Sequence, residues 1–289
     1  MNNRCRFCIL LTFIILELWV TGCQPGTKSV KSELPQIIKQ EGRTAIQVQT
    51  NLKEQLLAEY NGIQPQQWGE RTSGVVFGLD TGDKVLALTF DACGGSANSN
   101  GYDADLIDYL DKKEIPATLF ISGRWIDANP ELFLKLANNG LFEIGNHGLN
   151  HLPCSVNGRS AYHIRGTSSI SEVINEIDAN GKKIRSLTGR EPRFYRSGTN
   201  YYDEVAVDIA GDLNYKIVSY SVLGDAGATF SRFQVKKALL GAQAGSIIIF
   251  HFNHPEGETA EGIMDAIPLL QKNGFKFVRL SDYTLKESP

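Results

Sequence analysis

From Lys84 onward the chain alternates short apolar runs with longer amphipathic stretches, and this alternation limits the possible folds more than any other feature. The apolar runs are 85–90, 117–121, 142–145, 215–220, 246–250 and 275–278, each of strand length. Between them lie segments with helical spacing at 103–113, 129–139, 168–188, 202–213, 231–241 and 259–273. Pro130 suits a first helical turn, and Gly140 and Gly274 suit helix ends. Residues 193–196 read as one further short strand. Runs apolar throughout predict strands covered on both faces, and intervening helices predict parallel βαβ units. The fold class is α/β, either a barrel or an open doubly wound sheet.

Composition narrows the partners. With 289 residues, 42% hydrophobic and 21% charged, the chain has ordinary globular values, which excludes a disordered, collagen-like or polytopic membrane protein. A net charge of −3 gives no support for a nucleic-acid partner held by counterion release. The N-terminus carries an address. Arg4 and Arg6 precede an apolar run at 7–16, and Thr21 and Gly22 precede Cys23, the layout of a secretory signal. Val20-Thr21-Gly22-Cys23 resembles a bacterial lipoprotein box, in which the Cys is lipidated and becomes the mature N-terminus. The expected division is a signal peptide at 1–22, then Cys23, tether and helical extension at 23–83, then the main domain at 84–289. Leu52, Leu56, Leu57 and Tyr60 give the extension its helical spacing. The expected location is extracytoplasmic, lipid-anchored to a bacterial membrane.

In parallel α/β folds, function gathers at the C-terminal ends of strands. Asp91 directly follows the first strand, where it is either a working carboxylate or a helix cap. His147 and His151 follow the third. Four apart, they can share one face of a helical turn and bind one metal ion. His251 and His254 follow the strand that starts at Ser246, so four of the five His cluster at two strand ends. His163 reads as a solvated loop residue.

Thr89-Phe90-Asp91, Asn146-His147 with His151, Tyr195-Arg196 and the strand-end His251 together resemble the ordered motifs of the NodB-type polysaccharide deacetylases, carbohydrate esterase family four. The resemblance spans about residues 84–284. It implies a distorted (β/α) barrel of the NodB-homology type and a divalent metal, usually zinc, held by two His and one Asp. On this resemblance His147 and His151 are metal ligands, Asp91 is the catalytic base, His251 the catalytic acid, and Arg196 the residue that tunes the base. The implied reaction removes N-acetyl groups from an extracytoplasmic polysaccharide, either peptidoglycan or a chitin-like or poly-N-acetylglucosamine chain.

The chain departs from the family pattern at three places. The family's second Asp, its third metal ligand, is Ala92 here. The proline-rich segment after the motif Arg reads Ser197-Gly198-Thr199-Asn200, and the fourth motif reads Ser221 to Gly227 around Asp225. Replacements for the third ligand are water, the favoured reading, or Asp91, Asp225, Cys93 or Cys154. Asp225 has a second reading as the partner that orients His251. Cys93 and Cys154 are either disulfide-bonded or free thiols. Trp125, Tyr201 and Tyr202 either stack on sugar rings or pack the core, and His254 sits on the rim or in a turn. The alternative function is a catalytically impaired glycan-binding lipoprotein on the same fold.

Overall fold

The computed structural model describes residues 51–287. The signal peptide, Cys23 and most of the tether lie outside the described residues. Residues 51–59 are helical (α1). The chain then runs through β1 (Val76–Leu79), β2 (Val85–Ala92), α2 (Ala104–Lys112), β3 (Ala117–Ile121), α3 (Gly123–Ala128), α4 (Pro130–Asn138) and β4 (Phe142–Asn146). A hairpin of β5 (Ser160–Ala161) and β6 (Ile164–Arg165) precedes α5 (Ile170–Thr188), β7 (Phe194–Tyr195), α6 (Glu204–Asp212), β8 (Lys216–Ile217) and β9 (Val222–Leu223). The last elements are α7 (Arg232–Leu240), β10 (Ile247–His251), α8 (Thr259–Lys272), β11 (Lys276–Val278) and β12 (Leu285–Glu287). Among the described residues no helix is long and apolar enough to cross a membrane.

Eight strands form one parallel sheet, ordered β8-β7-β4-β3-β2-β10-β9, with β11 against the first residues of β2. β8 and β9 stand at opposite ends of that order, yet only residues 218–221 separate them in the chain. So short a segment spans at most ~3.6 Å per residue, which forces the sheet to curl until its edges approach. The link is tied to both sides: Val218 N donates to Tyr195 O and Ser221 N to Ile247 O. β1, paired antiparallel with β12, fills the seam. Ser219 N donates to Val76 O, and Leu79 N to Gly245 O, both at 2.8 Å. The result is a curled, incompletely closed barrel, as the motif resemblance implies, and not an open doubly wound sheet.

Period-two alternation along β2 sorts its side chains between two layers. Leu86, Leu88, Phe90 and Ala92 enter the outer core beneath α2 and α8, with Leu106, Leu110, Ile263 and Ile267. Val85 and Ala87 face the barrel interior with Phe120, Val218 and Ile247. A third cluster joins α1 to α5 and α6. In it Leu56 is 1% exposed, a burial that contributes roughly 1.5–3 kcal/mol, and Tyr60 Oη donates to Asp212 Oδ2 at 2.7 Å.

Most elements match the sequence reading to within two residues. The run 215–220 is the exception: it is strand only at Lys216–Ile217, because the backbone from Val218 turns across the seam. α3 is a single short helix capped by Ser122, whose hydroxyl accepts from Trp125 N. Like β1, β5, β6, β9 and β12, it is too short to leave a periodic signal.

Candidate active site

The C-terminal ends of four strands converge. Asp91 is the penultimate residue of β2, His147 follows β4, Arg196 follows β7, and His251 ends β10. Parallel register sets His251 directly opposite Asp91. A cleft of about 470 Å³ opens over them, lined by Asp91, Cys93, His151, Thr199 and His251 among others.

Asp91 is 2% exposed and Arg196 fully buried. Arg196 Nη1 donates to Asp91 Oδ1 at 2.7 Å, while Nε and Nη2 donate to the carbonyls of Val218 and Ser219, each at 3.0 Å. The guanidinium carbon also lies 4.2 Å from the centre of the Phe120 ring. Burial pushes the Asp91 carboxyl up, but the charge and hydrogen bond of Arg196 outweigh it and hold the group below its ordinary value. Asp91 is therefore a carboxylate at neutral pH, buried but compensated.

His147 is also buried. Its Nδ1 lies 2.9 Å from Arg196 O. A carbonyl only accepts, so Nδ1 carries the proton and Nε2 presents a bare lone pair. That Nε2 has no hydrogen-bond partner and sits 3.6 Å from Asp91 Oδ2. Burial pushes the His147 pKa down and the His151 pKa further down. Both rings are neutral, as metal ligation requires.

The two rings meet at 4.9 Å between centroids, but no helical turn brings them together. Residues 147–152 are an irregular loop, and His151 reaches the site through a left-handed backbone, φ 58°. Glu176 of α5 holds that loop, accepting from the backbone N–H groups of Asn150 and Leu152. Opposite, Gly198 makes room: a Cβ there would lie 2.3–2.6 Å from backbone atoms of His151.

The ligand atoms of Cys93, His147 and His151 all lie within 4.8 Å of one another. With an orphaned buried imidazole nitrogen among them, this donor set fits a divalent metal ion. Asp225 is not brought to the site in that role. Its carboxylate accepts from His251 Nδ1 at 2.9 Å, His251 N at 2.7 Å and Thr259 Oγ1 at 3.1 Å. Burial pushes the His251 pKa down, but the Asp225 charge and hydrogen bond win and raise it. Asp225 thus favours the protonated form of His251, whose Nε2 is left for the cleft.

Other sequence-singled residues fall elsewhere. Both cysteines are free, so the disulfide alternative is excluded. Cys154 is buried among α5 and α6 residues, where Tyr195 Oη donates to its sulfur at 3.7 Å. Trp125 packs edge-on against Phe252 in the core, and Tyr202 is fully buried with its hydroxyl donating to Asn200 Oδ1. Tyr201 packs against Trp68 and Tyr162. His254 pairs with Glu256 in an exposed turn. Sequence reasoning missed Glu176 and Ser122. An S/T residue three before Trp125 was the one available signal, that of an N-cap.

Comparisons with known proteins agree with this fold. The polysaccharide deacetylase family profile matches residues 78–218. A peptidoglycan-N-acetylglucosamine deacetylase from Bacillus cereus is 26% identical over 217 residues, 74% of this chain and 94% of that protein. The structure of Bacillus subtilis PdaA, a family 4 carbohydrate esterase, superposes with a TM-score of 0.59 at 23% identity, covering 80% of this chain and 87% of that one. A family-four pseudoenzyme from Bacillus anthracis superposes with a TM-score of 0.60 at 20% identity, covering 72% and 67%. The matched span carries Asp91, His147, His151 and Arg196, and residues 78–218 form a polysaccharide deacetylase (NodB-type) domain on the barrel that these structures share.

Proposed function

We propose that this protein is a metal-dependent N-deacetylase acting on an extracytoplasmic polysaccharide, with peptidoglycan the first candidate substrate. One observation carries the reading: a carboxylate paired with a buried arginine and an imidazole paired with a buried carboxylate stand opposite each other on neighbouring strands and face the same cleft. Asp91, compensated by Arg196, takes the proton of the attacking water as its oxygen bonds to the acetamide carbonyl carbon. His251, charged by Asp225, gives its proton to the sugar nitrogen as the C–N bond breaks. Acetate leaves, the free amine stays on the sugar, and the polymer gains positive charge. His147 and His151 would hold the divalent metal, zinc by the donor types. When bound, it supplies Lewis acidity that strengthens water as a nucleophile and polarises the carbonyl.

The relatives, one of them a peptidoglycan-N-acetylmuramic acid deacetylase, support a cell-wall substrate. They also support an extracytoplasmic location, and the signal with Cys23 adds a lipid anchor to that reading. Ala92 and the pseudoenzyme neighbour favour a second reading, a glycan-binding lipoprotein that has lost its chemistry. Retention of both the Asp91–Arg196 and the His251–Asp225 pairs stands against it. The test measures metal content and acetate release from peptidoglycan, chitin oligomers and poly-N-acetylglucosamine, beside Asp91→Asn and His147→Ala. Release from at least one polymer, lost in both variants, supports the deacetylase. Glycan binding with no release from any polymer supports the second reading.

A further inference from the structure

We propose that Cys93 is the third protein ligand of the metal site, making the centre a two-histidine, one-thiolate set. The inference rests on the metal-dependent reading above and deepens it. Its first support is the alternation of β2. Leu86, Leu88, Phe90 and Ala92 enter the outer core, so Asp91 and then Cys93 take the opposite, barrel face. The position that the family fills with a carboxylate faces the helical layer here, and the next donor to reach the cleft is a sulfur.

The second support is convergence. Among the described residues, the His, Cys, Asp and Glu groups that could share one ion are Cys93, His147 and His151. Asp91 is committed to Arg196 through Oδ1, and Asp225 to His251 and Thr259. His147 Nε2 is buried and unpartnered beside the sulfur. The third support is rigidity. Ser122 Oγ donates to Cys93 O, and the chain then turns through Gly94 and Gly95 at φ 69° and 96°. A Cβ at Gly94 would lie 2.4 Å from Trp125 N, so only glycine lets the strand end press against α3 and hold the thiol in place.

The chemistry follows from the donor set. Burial and the charges of Asp91 and Asp225 keep the metal-free thiol protonated, so metal binding displaces that proton. A thiolate with two imidazoles selects zinc or cobalt over magnesium, manganese or calcium.

The experiment loads the purified full chain with cobalt(II) and records its absorption spectrum. We expect one cobalt per chain with a near-ultraviolet sulfur-to-cobalt charge-transfer band. Cys93→Ser should lose the band and bind cobalt at least roughly tenfold more weakly. Cys93→Asp should bind without the band, and Cys154→Ser and Cys23→Ser should keep it. Stoichiometric cobalt without the band, or a band that survives in Cys93→Ser, overturns the thiolate ligand while leaving the metal reading intact. Absence of stoichiometric cobalt from the unmodified chain overturns both. A measurement on the unmodified chain alone avoids dependence on folding of the variants. X-ray absorption of the zinc-loaded chain should show one sulfur at about 2.3 Å in the zinc coordination shell, and a shell of nitrogen and oxygen alone overturns the proposal.

Discussion

Arg196 satisfies Asp91 and two backbone carbonyls at once: Nη1 meets Asp91 Oδ1 at 2.7 Å while Nε and Nη2 meet Val218 O and Ser219 O. One side chain thus joins the carboxylate on β2 to the backbone that crosses the barrel seam. Because both partners are buried, removing one strands the other's charge. Arg196→Met is expected to destabilise the fold by about 3–5 kcal/mol, measured by urea unfolding. The sign with pH follows from the lowered Asp91 pKa. Its stabilisation is present above the ordinary carboxylate range and is lost as pH falls through the folded value. In the variant that contribution should shrink or reverse, because burial then pushes the Asp91 pKa up toward or past its unfolded value, and an unchanged acid transition would argue that the pair does not hold Asp91 ionised.

Asp225 acts on His251 in the opposite sense, raising its pKa. The pair contributes stability that is fully present below the unfolded imidazole value of about 6.5 and lost as pH rises through the higher folded value. Asp225→Asn keeps an acceptor but removes the charge. The basic limb of acetate release should therefore move to lower pH, and the His251 resonance in an NMR titration should move with it. A basic limb that stays in place would exclude His251 as the proton donor.

The strands were legible because β2, β3 and β10 are buried along nearly their whole length, which leaves continuous apolar runs. Asp91, His147, Arg196 and His251 were legible because polar residues at the ends of such runs stand out. What stayed hidden depends on three-dimensional closure. Glu176 occupies an ordinary helical position, and only the folded chain shows it turned inward beneath the His loop. The left-handed backbone of His151 has no sequence mark, so the His pair read as a helical turn. Cys93 read as a weak ligand because its convergence with the His pair depends on which face of β2 each residue takes.

Glu176 is 1% exposed and binds the loop that carries both His147 and His151. Glu176→Ala would leave the Asn150 and Leu152 N–H groups without their acceptor, at about 1–3 kcal/mol for each buried donor. Metal affinity should fall roughly 10–100-fold, the range for lost ligand-supporting contacts. Isothermal titration with zinc alongside thermal unfolding separates the two effects. Full zinc affinity in a folded variant would show that the loop holds its shape without the carboxylate.

Gly198 is one of the departures from the family pattern, and the structure gives it a reason. The Cα of Gly198 packs so closely on His151 that an added methyl would lie 2.3 Å from its carbonyl carbon and 2.4 Å from its carbonyl oxygen. Both atoms are backbone, so no flexible side chain can yield. His151 already sits at φ 58°, and little conformational slack remains to absorb a shift. Gly198→Ala should move His151 out of register with His147, at about 1–3 kcal/mol for overpacking. Thr199→Ala, one residue on and lining the cleft without touching the ligands' backbone, is the control. The alanine at 198 is expected to lower zinc affinity roughly tenfold or more while the alanine at 199 leaves it unchanged. Equal affinities in the two variants would mean that His151 is not a ligand, since no ligand could tolerate that displacement.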